Sequence, residues 1–121
     1  MTRLLLTRSM ATACMLLCLS SLPGAAAELC LRVTVNDRPA GSETRIRLAA
    51  SGQQARSGQP VAGAARFDSL APGTWKLSLR HPQMKLYRTT LSVDGAVSVL
   101  LDCGHADEWS GCTVKSLPGG C

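Results

Sequence analysis

Residues 66–103, RFDSLAPGTWKLSLRHPQMKLYRTTLSVDGAVSVLLDC, decide the fold of this 121-residue chain. Trp75, Leu77 and Leu79 alternate there with polar residues, which is the period of a strand that buries one face. The same period gives two further inward-facing sets, Tyr87, Thr89, Leu91 and Val93, and then Val97, Val99 and Leu101. Three consecutive strands are therefore predicted with a shared buried side.

Turn residues separate these strands. Pro72-Gly73 suits the two central positions of a type II turn, where glycine accepts a positive φ without steric cost. Asp94-Gly95 is a strong signal for a tight hairpin. Turns at such short spacing, without a helical period in any window, are typical of a β-sandwich.

The chain upstream of this stretch continues the pattern. Residues 31–35 and 44–50 alternate, with Leu31 and Val33 inward in the first strand and Ile46 and Leu48 inward in the second. Residues 51–65 contain no large apolar side chain apart from Val61, so they are predicted to form a loop or a weak edge strand. The expected fold is all-β: a small, single-domain, antiparallel β-sandwich.

The element Leu70-x-Pro72-Gly73-x-Trp75-x-Leu77 resembles the L-x-PG-x-[YW]-x-L element of transthyretin-like (prealbumin-like) β-sandwiches. These include carboxypeptidase regulatory-like and Cna-B-type domains, in which a glycine and an aromatic typically precede the element, as Gly63 and Phe67 do. The resemblance covers about 40 residues, 63–103, and residues 31–50 match loosely, without the family's opening glycine. It implies a transthyretin-like sandwich but no particular function, because such domains serve as spacers, adhesin modules, binding modules and stability domains.

Residues 1–27 are predicted to be a signal peptide. Arg3 and Arg8 precede a short apolar run, and Ala25-Ala26-Ala27 supplies the small residues of a cleavage site, placed after Ala27. A lipoprotein site at Cys14 is rejected, since Cys14 precedes most of the apolar run. That run is shorter than the roughly 20 residues that span a bilayer, so no membrane insertion is expected after cleavage.

Cleavage would leave a periplasmic or secreted protein of 94 residues, with a sandwich at 28–103 and a Gly-rich, cysteine-containing tail at 104–121. The tail cannot build a core of its own, so disulfides are expected to fasten it to the sandwich. Without Arg3 and Arg8, eleven basic and eight acidic residues give a net charge of +3. The charges are scattered along the sequence, without the clustered cations and interleaved aromatics of a nucleic-acid surface. We therefore expect no nucleic-acid partner.

The predicted mature chain keeps four cysteines, Cys30, Cys103, Cys112 and Cys121. An even number in an exported domain predicts two disulfides. We predict Cys30–Cys103, joining the first and last strands, with Cys112–Cys121 in the tail. The alternative joins Cys30 to Cys112 or Cys121 and clamps the tail over the first strand. Cys103 shares parity with inward-facing Val99 and Leu101, whereas Cys30 shares parity with outward-facing Arg32, and this difference counts against the first scheme.

Metal binding is the weaker interpretation of the same residues. Cys103, His105, Cys112 and Cys121 are suitable zinc or copper ligands, but their spacing lacks the paired cysteines of structural zinc sites. His81 with Met84 resembles copper-handling surfaces, yet Met84 is the only methionine left after cleavage. We predict neither metal nor cofactor.

Enzyme chemistry has little support. His81 and His105 are the only histidines, and no nucleophile elbow, phosphate-binding glycine loop or H-E-x-x-H motif is present. The adjacent carboxylates Asp107 and Glu108 fit a solvated loop better than an acid–base pair.

The sequence thus predicts a non-enzymatic binding or accessory protein of the cell envelope, whose partner is another envelope or secreted protein. The alternatives are an inhibitor or immunity-type partner of a secreted hydrolase, and a periplasmic metal-handling protein. Loop 51–65 and the tail flank the scaffold, and an exposed Trp in a disulfide-held segment would be a low-entropy anchor. The candidate contact residues are Trp109, Gln53, Gln54 and Arg56.

Overall fold

A computed structural model describes residues 26–119 as nine β-strands without a helix. The strands are β1 (Ala27–Val35), β2 (Arg38–Pro39), β3 (Arg45–Ala49), β4 (Arg56–Gly58), β5 (Ala64–Leu70), β6 (Gly73–Arg80), β7 (Tyr87–Val93), β8 (Ala96–Ala106) and β9 (Trp109–Leu117). The predicted all-β class is confirmed. Residues 1–25, which hold most of the predicted signal peptide, lie outside the described range.

The strands form two sheets. In the five-stranded sheet the order is β2-β1-β8-β9, and β5 pairs with β1 beside β2. The four-stranded sheet has the order β4-β3-β6-β7. Every pairing is antiparallel except that of β1 with β8, which is parallel. Alternation in the sequence shows which face a side chain occupies, but not the direction of the neighbouring strand, so this pairing was not predicted.

The core lies between the two sheets and is built from the alternating residues. Leu31 and Val33 of β1, and Leu77 and Leu79 of β6, are all 0% exposed. Ile46, Leu48, Phe67, Leu91, Val93, Val99 and Leu101 are buried with them. Tyr87 and Thr89 are only half-buried, because they lie in the N-terminal half of β7, which is at the edge of its sheet. Period-2 patterning therefore predicted the core-facing sides correctly.

The Leu70–Leu77 element carries the chain from one sheet to the other. Leu70 ends β5 in the five-stranded sheet, and Gly73, at φ 139°, begins β6 in the four-stranded sheet. Trp75 is 2% exposed, and its Nε1 donates a hydrogen bond to the Ala71 carbonyl at 2.8 Å. The buried indole therefore satisfies its own polar group within the crossing.

Gly63 holds the start of β5 against the hairpin of β1 and β2. Its φ is 82°, and a Cβ added there would come 2.9 Å from Pro39 Cβ. Its carbonyl accepts from the Val33 amide at 2.8 Å, and its amide donates to the Ala40 carbonyl at 3.0 Å. Any side chain would meet both backbone strain and a clash at this position.

The hairpin predicted at Asp94-Gly95 is wrong. Gly95 has the expected positive φ of 69°, but β7 lies in the four-stranded sheet and β8 in the five-stranded sheet. The turn therefore crosses between sheets. A tight Asp-Gly turn satisfies the local backbone in either arrangement, so the dipeptide alone cannot choose between them.

Residues 104–119 are more regular than the predicted tail. Residues 104–106 extend β8, and Trp109–Leu117 forms β9, which pairs with β8 from Ser98↔Leu117 to Ala106↔Trp109. Its side chains are exposed or only half-buried, including Val114 at 41% exposure. Because β9 contributes so little to the core, its sequence lacks the apolar alternation that predicted the other strands.

The predicted pairing of Cys30 with Cys103 and of Cys112 with Cys121 is wrong, because the structure joins Cys103 to Cys112. These residues are direct partners on the neighbouring strands β8 and β9, and Cys103 is 4% exposed. The disulfide fastens the C-terminal segment to the sandwich, and the expected disulfide-fastened tail is confirmed.

Cys30 is also disulfide-bonded. Of the pairings considered from the sequence, Cys30 with Cys121 is the one compatible with Cys103–Cys112. Cys30 lies opposite Ser98, whose hydroxyl donates to the Gly119 carbonyl. The end of the described chain thus lies near Cys30. Cys121 is outside the described range, so this pairing stays a prediction.

Candidate functional site

The outer surface of the four-stranded sheet concentrates basic side chains. Burial of Ile46 and Leu48 turns the intervening residues of β3 outward, and burial of Leu77 and Leu79 does the same in β6. We name this surface the arginine face and define it by its five exposed cations, Arg45, Arg47, Lys76, Arg80 and Arg88. Packing of the core therefore places these charges on one side of the molecule.

The strand register sets the arrangement of the cations. Arg45 lies directly opposite Arg80. Ser78 lies between Arg47 on β3 and Arg88 on β7, so neighbouring positions are separated by the inter-strand spacing of roughly 4.8 Å. Like charges directly opposite each other destabilise a sheet. The repulsion between these cations thus costs stability. Core packing turns these positions outward but does not require them to be cationic.

Among residues 26–119, no carboxylate forms an ion pair with the arginine face. Between residues 26 and 119, the ion pairs join Arg66 to Glu28 and Asp68, and His81 to Glu43. None of the chain's eight acidic residues belongs to a strand of the four-stranded sheet. Uncompensated cations on one surface raise the local concentration of anions and accelerate their association.

A trough runs along this face. Two cavities, of about 610 Å³ and about 450 Å³, share Arg47, Ser78 and Arg88 in their walls. The larger cavity extends toward Arg45, Arg80 and Leu86, and the smaller toward Lys76 and Thr90. Ser57 and Gln59 add a hydroxyl and an amide to the larger one. Together the cavities form one elongated depression with cations at both ends.

Trp109 occupies one end of the sandwich. It begins β9 and is 59% exposed. The indole covers Gly104, where an added Cβ would lie 3.0 Å from Cζ3. Cavities of about 520 Å³ and about 460 Å³ each include Trp109 in their walls. The Cys103–Cys112 disulfide closes the hairpin that presents this ring.

The structure does not bring the four predicted contact residues together. Gln53 and Gln54 are exposed in the loop after β3. By the register of β3 on β6, this loop lies at the opposite end from Arg80 and from the 81–86 loop, part of which borders a Trp109 cavity. Arg56 Nη1 donates to the Asp68 carbonyl at 2.9 Å and so links β4 to β5 across the two sheets.

The alternative interpretation of Cys103, His105, Cys112 and Cys121 as metal ligands is contradicted. Cys103 and Cys112 form a disulfide, so neither offers a thiolate. His105 Nε2 instead lies 3.2 Å from Asn36 Nδ2. Within residues 26–119 no three His, Cys, Asp or Glu side chains form a group that could hold a metal ion. His81 lies 3.8 Å from Glu43, and Met84 packs against the core.

Arg66 marks a separate, neutralised cluster on the five-stranded sheet. It donates to Glu28 at 3.2 Å and to Asp68 at 3.1 Å. The hydrogen bond to Glu28, followed by the charge of Asp68, raises the pKa of its guanidinium. Because the pKa of Arg66 is higher in the folded state than in the unfolded state, its contribution to stability is fully present below the unfolded pKa. That contribution is lost only in strongly alkaline solution. The cluster therefore adds no pH dependence near neutrality through Arg66.

Sequence reasoning missed the arginine face, although it placed the outward residues correctly. Arg45 and Arg47 alternate in one strand, and Lys76 and Arg80 in another, so each contribution was visible. The missing fact was that β3, β6 and β7 are neighbours in a single sheet. Charges that are scattered along the sequence are adjacent in space.

Comparisons with known proteins give a structural neighbour but no family. No family model matches the chain, and no curated protein matches it. Among solved structures, it is similar to one described as a "putative cell adhesion protein" from Bacteroides ovatus ATCC 8483, at 10% identity and a TM-score of 0.47. The match covers 76% of this chain and 43% of that one, so this chain spans less than half of that neighbour's length.

In the described part of the chain, no helix is long and apolar enough to cross a membrane.

Proposed function

We propose that this protein is an exported, non-enzymatic binding module of the cell envelope that holds an anionic partner on the arginine face. The observation that carries the proposal is the register pairing of Arg45 with Arg80 and of both Arg47 and Arg88 with Ser78. It concentrates cations without a carboxylate on the same sheet. A partner that supplies the missing negative charge would offset the repulsion.

The scaffold in this proposal is a transthyretin-like domain. The Leu70–Leu77 element supports that assignment, because it is built into the crossing between the sheets through the hydrogen bond from Trp75 to Ala71. Export is proposed from the N-terminal segment, and disulfides are typical of oxidising compartments. The sequence contains few residues suited to catalysis, which supports a binding role.

A salt gradient on a negatively charged resin tests the arginine face. Arg47→Gln/Arg88→Gln should elute at lower salt than the wild type, because it removes the two cations common to both cavities. The matched control is Arg32→Gln/Lys115→Gln. Both residues are exposed, and both lie opposite Leu100 in the five-stranded sheet.

Both double variants lose two positive charges, so net charge cannot explain a difference between them. Equal elution of the two variants would contradict the assignment of anion binding to the arginine face. Far-UV circular dichroism and urea unfolding of each variant would establish that the fold is intact.

A second candidate function is inhibition of a secreted hydrolase through Trp109. The specific observation is a 59% exposed indole on a hairpin closed by a disulfide, which limits the entropy lost when a partner immobilises it. In this case Trp109→Ala would abolish capture and inhibition of one hydrolase from a periplasmic extract, whereas Arg47→Gln/Arg88→Gln would leave both unchanged.

A further inference from the structure

We infer that the anionic partner on the arginine face is a linear acidic polysaccharide, whose carboxylate or sulfate groups pair with the guanidinium groups of the trough. This inference rests on the proposed function and names the chemical class of its partner. Three observations carry it: the kind of cation, the shape of the depression and the uncharged groups between the cations.

The cations are predominantly arginine. Arg45, Arg47, Arg80 and Arg88 stand beside a single lysine, Lys76. A guanidinium presents a planar fork of donors that pairs with an oxyanion through two parallel hydrogen bonds, whereas an ammonium acts as a point charge. Four forks on adjacent strands suit a ligand that repeats an oxyanion along its length.

The depression is elongated. Its two cavities join at Arg47, Ser78 and Arg88 and continue to opposite ends of the sheet face. A compact anion would occupy one part of it and leave the cations at the other end unpaired. A chain lying along the strands reaches Arg45 at one end and Lys76 at the other.

Hydroxyl and amide groups lie between the charges. Ser57, Ser78 and Gln59 line the larger cavity, and Ser78 and Thr90 line the smaller. They can donate to and accept from sugar hydroxyls while the arginines hold the acidic groups. A glycan offers both kinds of partner in alternation.

Single-stranded nucleic acid fits the trough less well. Proteins that bind it without sequence preference stack its bases on aromatic side chains. Phe67 and Trp75 are buried, and Tyr87 is half-buried. Trp109 belongs to the other sheet. Within residues 26–119, no aromatic residue lines either cavity of the trough.

An anionic membrane surface also fits less well. Basic residues are attracted to such a surface through their charge, without a requirement for shape. A flat layer of headgroups would cover the face but leave the combined trough unfilled. The exposed apolar residue at its rim is Leu86, at 41% exposure, a small area for insertion.

The test compares ligands on the full mature chain by isothermal titration calorimetry. The probes are polygalacturonate for carboxylates, dextran sulfate for sulfates and neutral dextran as the matched uncharged chain. A poly-dT oligonucleotide and phosphatidylglycerol–phosphatidylcholine vesicles represent the other polyanions. We expect polygalacturonate, dextran sulfate or both to bind more tightly than DNA and vesicles, with no binding of dextran.

Variants then test the contacts. Arg47→Gln/Arg88→Gln should weaken polysaccharide binding at least about tenfold, as expected for the loss of charge-assisted hydrogen bonds. Arg47→Lys/Arg88→Lys keeps the charge and loses the forks, so its affinity should fall between wild type and the glutamine variant. Arg32→Gln/Lys115→Gln should bind like the wild type.

The outcomes separate the inference from the proposed function. Tight binding of DNA or vesicles without the polysaccharides would overturn the inference and leave an anion-binding module. Failure of every polyanion to bind would overturn both. If the lysine variant bound as tightly as the wild type, charge alone would suffice, and the paired guanidinium contacts would be refuted.

Discussion

Arg45 and Arg80 face each other across β3 and β6. Repulsion between these two charges lowers the stability of the fold. We expect Arg45→Thr to increase the free energy of unfolding by roughly 0.2–1 kcal/mol, because it removes a cross-strand repulsion and introduces a β-branched residue. The same substitution should weaken binding to the anionic partner. Urea unfolding at low ionic strength measures the first effect, and titration with the polyanion measures the second.

Arg32→Thr is the control for this prediction. Arg32 is exposed on β1 and pairs with Ala64 and Leu100 rather than with a cation, so its replacement removes no opposing charge. A gain in stability equal to that of Arg45→Thr would mean that strand propensity alone explains both. High salt should reduce the difference between the two variants, since exposed charges are screened.

The hairpin of β8 and β9 depends on its disulfide. Because β9 adds little buried apolar surface, we expect Cys103→Ala/Cys112→Ala to lower the free energy of unfolding by up to about 2.5 kcal/mol, the chain-entropy value for a loop of this length. Amide hydrogen exchange should show faster opening of β9 than of β6. The measurement is made under non-reducing conditions, so that the bond at Cys30 stays intact.

A double variant whose β9 amides remain as protected as in the wild type would contradict this dependence. Substitution of both cysteines is required, because a single substitution would leave a free thiol able to form a different disulfide.

The elements differ in how far their sequences predicted them. Alternation within residues 31–35 and 73–80 predicted their buried faces correctly, because one face of each strand packs in the core and the other is exposed to water. Parity also placed Cys103 inward, beside Leu101. What alternation lacks is the identity of the neighbouring strand. The cysteine pairing, the crossing at Asp94-Gly95 and the arginine face all depend on neighbours, and each was missed or predicted wrongly.

At the scale of the whole molecule, the predicted signal-peptide cleavage site lies next to the start of the fold. Ala27 is the first residue of β1, is 0% exposed and lies opposite Leu70. The predicted cleavage after Ala27 therefore falls inside the boundaries of β1. We expect the protein in the periplasmic or secreted fraction, beginning at Glu28, with all four remaining cysteines in disulfides.

Intact mass and thiol titration of the denatured, unreduced protein measure these features together. A mass that retains Ala27 would move the cleavage site without affecting the proposal of export. Full-length protein in the cytoplasm, or four titratable thiols, would refute export through a cleaved signal.

The parallel pairing of β1 with β8 has a consequence for the order of assembly. The four-stranded sheet pairs segments that lie close in the chain, from Arg45 to Val93. β1 cannot form its parallel pairing until residues 96–103 are in place. The hydrogen bond from Thr34 to Asp102, across 68 positions, is an example of these distant contacts. Contacts of such high sequence separation carry a loop-closure penalty before they contribute stability, which slows folding. We therefore expect β1 to be among the last strands to complete its pairing. Nascent chains that end before β8 would retain an open edge on β1, whose buried face includes Leu29, Leu31, Val33 and Val35.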